Sequence, residues 1–375
     1  MPEINQKQRL AFTAIVSETH EIPEPIINTK SDGWLSIGRD NHYFNYLYTL
    51  YEHSSQMSSI VKTMIDYLTG DKIINNTKLQ ESVNRKGETM NDLIETIAFD
   101  YCVYGGFAFQ VIRDHNGDIA ELNYIDFRTV RTNEDEDKIY VNTGWKYNIA
   151  KRGVQTKVYE RFNPQAKQPN SIFYYKGHLT KEVYPVPMYV GAITSLEIST
   201  QIPNFHLHNI TNNFSPNVII NFNSGSNLPD EVMQEAEEKI YEKFIGTSNA
   251  GNIMLSFNDN VESATTVERL QDDGYDKKYE TLKESVTNDI YAAFRINPTL
   301  VGINHSTGFN TQEFSQCFEL YDKTVIKPMQ EDIIGCFEKV FGKGCIEIEQ
   351  FHIEWADETT ENSTPVDGEI VSSNE

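Results

Sequence analysis

Few residues in this 375-residue chain could do chemistry, and they stand apart from one another. Gly342-Lys343-Gly344 has the lysine of a phosphate-binding loop. It lacks the upstream glycine at the required spacing, and Gly344 stands where a Ser or Thr hydroxyl would hold magnesium, so nucleotide hydrolysis is not expected. Gly105-Gly106 is followed by strand-like residues and not by a helix, which argues against a dinucleotide loop. His206 and His208 lie two apart on an expected helix, so they point to different faces and should not share a metal. Asp230, Glu231, Glu235, Glu237 and Glu238 crowd one short helix, whereas ligating carboxylates converge from several elements; these five read as a solvated face. Cys102, Cys317, Cys336 and Cys345 are scattered with no metal-ligand spacing. The first three sit among apolar residues and read as small core side chains, so neither a disulfide nor zinc is expected. There is no Gly-x-Ser-x-Gly elbow and no His-Glu-x-x-His pair. Nothing assembles an acid, a base and a nucleophile, so no catalytic, cofactor-binding or metal-binding residue is assigned and the expectation is a protein that is not an enzyme.

Charge excludes a second class. The formal net charge is −23, while a protein that grips DNA gains affinity by displacing counterions with Lys and Arg. The chain should repel duplex DNA, and an acidic wall past which DNA slides is compatible with that charge. No apolar run approaches the roughly 20 residues of a membrane-spanning helix. The start of the sequence lacks a basic flank followed by an apolar stretch, so a protein made in a cytoplasm is expected.

The stretch that organises the rest runs from 276 to 341. Tyr279, Leu282, Val286, Ile290 and Phe294 recur at helical spacing and form one apolar stripe. The opposite face carries Lys277, Lys278, Glu280, Lys283, Glu284, Asn288 and Asp289. Asn297-Pro298 should stop this helix, because a proline disfavours helical geometry in the residue before it. A loop with two glycines comes next, and within it Asn304, His305, Ser306, Thr307, Gly308, Phe309 and Asn310 include no acid, lysine or arginine. Asn310 with Glu313 makes a capping pair for a second helix. There Phe314, Phe318, Tyr321, Val325, Met329, Ile333, Phe337 and Phe341 fall almost regularly four apart, with a kink expected at Pro328.

Upstream, residues 1 to about 30 are polar and read as a loose arm. A helical pattern runs from Tyr43 to Leu68 with Gly70 as its cap, and a second runs from about Met90 to Gly105-Gly106. The period then changes to two. Strands are expected at 107–113 and 119–125 about the turn His115-Asn116-Gly117-Asp118, and at 138–141, 154–161 and 171–175, forming an antiparallel layer on the helices. From Tyr189 to Phe214 the pattern is helical, with Pro203 expected to bend or split it. Between 216 and 269 lies a small insertion: a strand at 218–222, a helix near 229–246 and a strand at 252–257. Residues 345–355 alternate as a strand, and 356–375 are acidic and expected to be disordered. Strands and helices without regular alternation predict an α+β fold.

Arg295-Ile296-Asn297-Pro298-Thr299-Leu300-Val301-Gly302, Thr307-Gly308-Phe309-Asn310 and Val325-Ile326-Lys327-Pro328-Met329-Gln330 resemble segments of tailed-phage portal proteins of the HK97-like class. Tyr104-Gly105-Gly106-Phe107 through Arg113, Asn212-Asn213-Phe214-Ser215-Pro216 and Phe244-Ile245-Gly246-Thr247 extend the likeness, in the family's order, over about residues 43–355.

The resemblance implies a portal-type architecture. After a flexible arm (1–42) would come an α/β wing (43–188), a first stem helix (189–215), a clip (216–269) and a second stem helix (270–298). A tunnel loop (299–311), a kinked wing helix with a final strand (312–355) and a disordered acidic tail (356–375) would complete it. It further implies a ring, typically of twelve copies, at one capsid vertex of the virion, through which viral double-stranded DNA is packaged and ejected. Implied partners are the terminase large subunit, a head–tail connector, the major capsid protein or scaffold, and DNA that passes without tight binding; no cofactor and no membrane are implied. On this reading residues 304–310 face the DNA, and Lys277, Lys278, Lys283, Glu284 and Asn288 form the polar face of the stem. Val218, Ile220, Phe222, Ile253, Leu255 and Phe257 would meet neighbouring subunits. The alternatives are a ring-shaped head–tail adaptor and a DNA-processing phage enzyme. Many proteins of the portal family carry a helical crown at this end, whereas the C-terminal residues here read as a strand and an acidic tail, a departure that counts against a large crown.

Overall fold

In the computed structural model the described residues are 22–30, 33–147, 155–177, 181–211, 218–222, 253–257, 275–302 and 311–352. A short hairpin, β1 (Ile27–Thr29) and β2 (Leu35–Ile37), comes first, within a stretch whose sequence suggested only a loose arm. The helical pattern from Tyr43 to Leu68 is two helices, α1 (Tyr43–His53) and α2 (Ser55–Thr69). Ser54 separates them because it adopts an extended backbone and its side chain accepts from the Met57 amide at 3.3 Å, a capping bond that begins a new helix. Next come strand β3 (Lys72–Asn75) and α3 (Met90–Tyr104). A reciprocal capping box between Thr89 and Asp92 opens α3, and Gly105 closes it in the left-handed region at φ 77°.

The Gly105-Gly106 pair has a packing role. A Cβ on Gly106 would sit 2.5 Å from the Tyr175 carbonyl oxygen, so only glycine admits that close approach. The chain then enters a six-stranded sheet of β4 (Phe107–Arg113), β5 (Ile119–Tyr124), β6 (Val130–Thr132), β7 (Lys138–Val141), β8 (Lys157–Arg161) and β9 (Asn170–Tyr175), in the order β5-β4-β9-β8-β7-β6. The pairings are antiparallel except one. β8 and β9 run parallel and pair only at Glu160↔Ser171 and Arg161↔Ile172, so the layer is mixed where the sequence suggested a wholly antiparallel one. The exposed side of β5 is covered: the Leu122 amide donates to the Val83 carbonyl at 2.7 Å, and Asn84 Nδ2 donates to the Leu122 carbonyl.

Helix α4 (Ile193–Thr211) passes through Pro203 as one continuous helix, unsplit. Strands β10 (Val218–Phe222) and β11 (Ile253–Phe257) come next, and then α5 (Tyr275–Ala293). The long C-terminal helix is α6 (Thr311–Tyr321), five residues of π-helix (Asp322–Ile326) and α7 (Lys327–Phe341). The irregularity therefore lies in the turn before Pro328. Proline has no amide hydrogen to give the Thr324 carbonyl, and that oxygen takes a long bond of 3.4 Å from Arg295 Nη1. The extra residue of the π turn buries Val325 and Ile326 together, where a strict four-residue spacing would bury one.

Strand β12 (Ile346–Glu349) ends the described chain and is shorter than the expected 345–355; it pairs antiparallel with β3. Ile353 and Trp355, together with the tail, lie outside the described residues. Two apolar clusters result. One joins α1, α2 and the start of α4 to the ends of α5 and α6. The other packs α3 and α7 on the face of β4, where Phe337 stacks on Phe109 at 5.3 Å.

Candidate functional site

The elements that could face a passage are α4, α5, the strands between them and the loop after α5. Each helix is fixed at its base by the core. Tyr189, fully buried just before α4, donates to the Val103 carbonyl at 2.6 Å, and its ring stacks on Phe294 at 5.0 Å. Ser199 Oγ lies 2.8 Å from Ser54 Oγ, the residue that caps α2. Tyr46 donates to Glu197 at 3.1 Å, and burial together with that carboxylate pushes the phenol pKa up, so it remains a donor. Ser195 near the start of α4 meets Asp289 near the end of α5 at 3.2 Å.

The apolar stripe of α5 is only partly used. Val286, Ile290 and Phe294 are buried, but Leu282 is 44% exposed, and on α4 Leu196 is buried while Leu207 is 59% exposed. Both helices thus leave the core about halfway along, and beyond that point Leu207 and Leu282 are exposed among the described residues. Lys283, Glu284 and Asn288 are exposed as the sequence suggests; Lys277 and Lys278 lie in α5, their side chains outside the described set.

In the segment between these helices, β10 and β11 pair parallel, Val218↔Ile253, Ile220↔Leu255 and Phe222↔Phe257. A parallel pair needs a crossover of a dozen or more residues, which 223–252 supplies. The expected helix near 229–246, with Asp230, Glu231, Glu235, Glu237 and Glu238, lies outside the described residues.

Helix α5 ends at Ala293, short of Asn297-Pro298. Arg295 takes a left-handed backbone at φ 56°, and the Ile296 amide donates back to the Tyr291 carbonyl at 3.1 Å. Pro298 instead begins a 3₁₀ turn (Pro298–Val301) capped by Asn297, whose side chain accepts from the Thr299 amide at 2.9 Å. Gly302 then turns left-handed at φ 80°.

Tyr67 of α2 holds both roots of the 303–310 loop. Its hydroxyl donates to the Leu300 carbonyl at 3.1 Å, and its ring meets Phe318 of α6 at 5.0 Å and Phe351 at 5.0 Å. Gln330 Nε2 donates to the Tyr67 and Leu68 carbonyls, fixing the end of α2 that carries the ring. Burial raises the Tyr67 phenol to about 12, so it stays protonated as a donor. Residues 303–310, which include Asn304, His305, Ser306, Thr307, Gly308, Phe309 and Asn310, and with them the Asn310 cap, lie outside the described residues; their two roots are fixed. Tyr67 was not singled out by sequence. Its only signal was its place one residue before the last apolar position of a helix.

The remaining chemical candidates resolve into structure. Gly342 (φ 98°) and Gly344 (φ 71°) form the turn between α7 and β12, which explains both glycines around Lys343. Cys102, Cys336 and Cys345 are buried, Cys317 is half-buried, and all four thiols are free. Burial pushes the Cys336 thiol up to about 12. His206 is exposed, and the side chain of His208 is outside the described set. Among the described residues, no three His, Cys, Asp or Glu side chains cluster as metal ligands, and no helix is long and apolar enough to cross a membrane.

Residues 50–356 match the family profile described as phage portal protein. No curated protein sequence matches the chain. Among solved structures, one in the virion of a native gene transfer agent particle aligns with TM-score 0.53 and 15% identity over 82% of this chain and 83% of that one. One in the neck of the native particle, computed with C12 symmetry, aligns with TM-score 0.51 and 15% identity over 87% and 86%. A HK97 family phage portal protein from Corynebacterium diphtheriae aligns with TM-score 0.50 and 12% identity over 80% and 93%. At such identities the structural likeness shows a shared mixed α+β fold.

Proposed function

The chain belongs to the phage portal protein family, and on that premise we propose that it forms a ring at one vertex of a phage or phage-like particle through which double-stranded DNA passes. The observation that carries the reading is the half-buried helix pair. Leu207 and Leu282 are exposed in a single chain, on two helices whose bases are locked into one core, as expected of helices completed by neighbouring copies. A similar solved structure belongs to a particle neck computed with C12 symmetry, which supports a ring of twelve.

On this reading 43–188 is the wing, α4 and α5 are the stem, 216–269 is the clip and 303–310 is the loop turned toward the DNA. The polar face of Lys283, Glu284 and Asn288, with Lys277 and Lys278, would line or flank the channel. The terminase large subunit would dock on the clip during packaging and a head–tail connector would take its place later, with the capsid protein or scaffold against the wing. The protein's part is structural; an acidic chain lets the DNA backbone slide instead of binding it.

Electron microscopy of the purified protein tests the assembly, with rings bearing a central hole as the expected outcome. A monodisperse monomer at high protein concentration, with the fold intact by circular dichroism, would refute it.

A further inference from the structure

Outside these elements, the turn between α7 and β12, the chain after β3 and the β4–β5 hairpin enclose a groove of about 330 Å³. Its lining includes Lys78, Arg113 and Lys343, with Asp118 the carboxylate among them, over an apolar floor of Ile119 and Phe341. Lys78 and Asp118 pair at 3.0 Å with both side chains well exposed, so the lining holds three cations against one carboxylate, in a chain whose net charge is −23. Arg113 Nη1 donates to the Gly117 carbonyl at 2.8 Å, while its Nε has no acceptor among the described residues. Lys343 has no ion pair among them either. Lys167 lies over Gly117 at the rim, its Cδ 3.0 Å from where a Cβ on that glycine would stand, and adds a further cation beside the groove.

A groove of this kind suits a carboxylate-bearing segment with some apolar side chains. Residues 353–375 are such a segment: seven Asp and Glu, no Lys or Arg, and Ile353, Trp355, Ile370 and Val371. Their starting point is fixed close by. Cys345 lines the groove, and His352, seven residues further on, is held by its amide donating to the Asp71 carboxylate at 3.1 Å. The separation therefore cannot exceed about 24 Å of extended chain. A flexible chain of 23 residues would have a root-mean-square span of about 26 Å, enough to cover any separation within that bound and to hold the segment at a local concentration on the order of millimolar. We infer that the acidic segment 353–375 docks in the groove of Lys78, Arg113 and Lys343 of its own chain. Contacts that would be weak between separate molecules suffice for a tethered segment. This inference does not rest on the channel reading.

Zero-length carbodiimide cross-linking of the full chain, read by mass spectrometry, tests it. Cross-links from Lys343 and Lys78 to carboxylates of 353–375 are expected. In a mixture of isotope-labelled and unlabelled chains combined before assembly, they should join like to like; links predominantly between labelled and unlabelled chains would refute docking within the chain.

The second measurement uses the full chain with all seven carboxylates of 353–375 changed to their amides, and a fluorescent synthetic peptide of the native 353–375 sequence. The peptide should bind at low salt, weaken as salt rises, and lose about tenfold in affinity with Lys78→Glu and Lys343→Glu together, two exposed charges reversed. No binding, or binding indifferent to those two changes, would overturn the proposal. So would a single-stranded oligonucleotide that binds more tightly than the peptide and is weakened by the same changes, which would reassign the groove to nucleic acid.

Discussion

Removing one oxygen from Tyr67 should loosen the 299–302 root of the 303–310 loop. In Tyr67→Phe the ring keeps its contacts with Phe318, Tyr321 and Phe351. The loss is the donor to the Leu300 carbonyl, at 3.1 Å in a buried setting. The helical turn of residues 298–301 leaves that oxygen no backbone partner within it, because the Gly302 amide goes back to the Pro298 and Thr299 carbonyls. Leaving a buried carbonyl unpaired costs about 1–3 kcal/mol. Since the rest of the side chain is retained, we expect a loss of about 1.5 kcal/mol with an unchanged denaturant slope. Tyr67→Ala adds a cavity and should cost about 3–5 kcal/mol in total. Urea unfolding followed by circular dichroism measures both, and hydrogen exchange at residues 299–302 reports the local effect. If Tyr67→Phe changes stability by under about 0.3 kcal/mol and leaves exchange at 299–302 unaltered, Tyr67 is not the post on which the loop is hung.

Gly106→Ala would force a Cβ to within 2.5 Å of the Tyr175 carbonyl oxygen, with Pro185 also pressing, and should cost about 1–3 kcal/mol by separating α3 from β9; differential scanning calorimetry shows it as a lowered Tm. Alkali should unfold the chain: Tyr184 is 1% exposed and its phenol is raised from 10.0 to about 12 by burial. Its contribution is therefore intact below pH 10 and lost as pH rises toward 12. At pH 11 that loss is about 1.4 kcal/mol for this one group, with Tyr43 and Tyr67 shifted in the same direction; unfolding titrations at pH 9 and 11 with tyrosinate absorbance check it. Ser306→Lys with Thr307→Lys should leave rings intact and slow DNA packaging in a reconstituted head–motor system, since each copy would add cations against the passing phosphates. Unchanged packaging by intact rings would mean that the loop does not face the channel.

Long periodic segments could be read directly. Helices α3 and α7, the β4–β5 hairpin with Gly117 at φ 87°, and the apolar positions of 286–294 all come from spacing and turn chemistry. The features that could not be read depend on partners distant in sequence. β3 is four residues with no period of its own and exists because β12 pairs with it from the other end of the chain. The break at Ser54 hid inside an uninterrupted apolar pattern, since both helices bury the same side. The π turn falls in the turn before Pro328, where proline leaves the Thr324 carbonyl without an amide, and spacing alone announces only a kink there. Of the candidate site, the helix pair was legible, but Tyr67 was not. A single tyrosine on a helix reads as core, and only the fold reveals that its hydroxyl meets residue 300.

The parallel pairing of β10 with β11 bears on how copies would join. A two-stranded sheet is marginal in isolation, and each of these strands has one edge that no other described strand pairs. Parallel strands also expose slanted donor and acceptor rows that a neighbouring copy's strand could extend. If rings close partly through such edges, deleting 217–268 and joining α4 to α5 by a short glycine linker should leave the core intact, because β10 and β11 form a sheet separate from the six-stranded one. Ring formation should weaken, by a fold set by how much of the assembly energy the exposed leucines Leu207 and Leu282 supply, and motor-dependent packaging should vanish. The two contributions separate in one experiment: the deletion alone, Leu207→Ser with Leu282→Ser alone, and all three changes together, each followed by analytical ultracentrifugation. Additive losses would mean that strands and helices close the ring independently. Deletion rings as stable as the parent and still filling heads with DNA would show that 216–269 neither joins copies nor receives the motor.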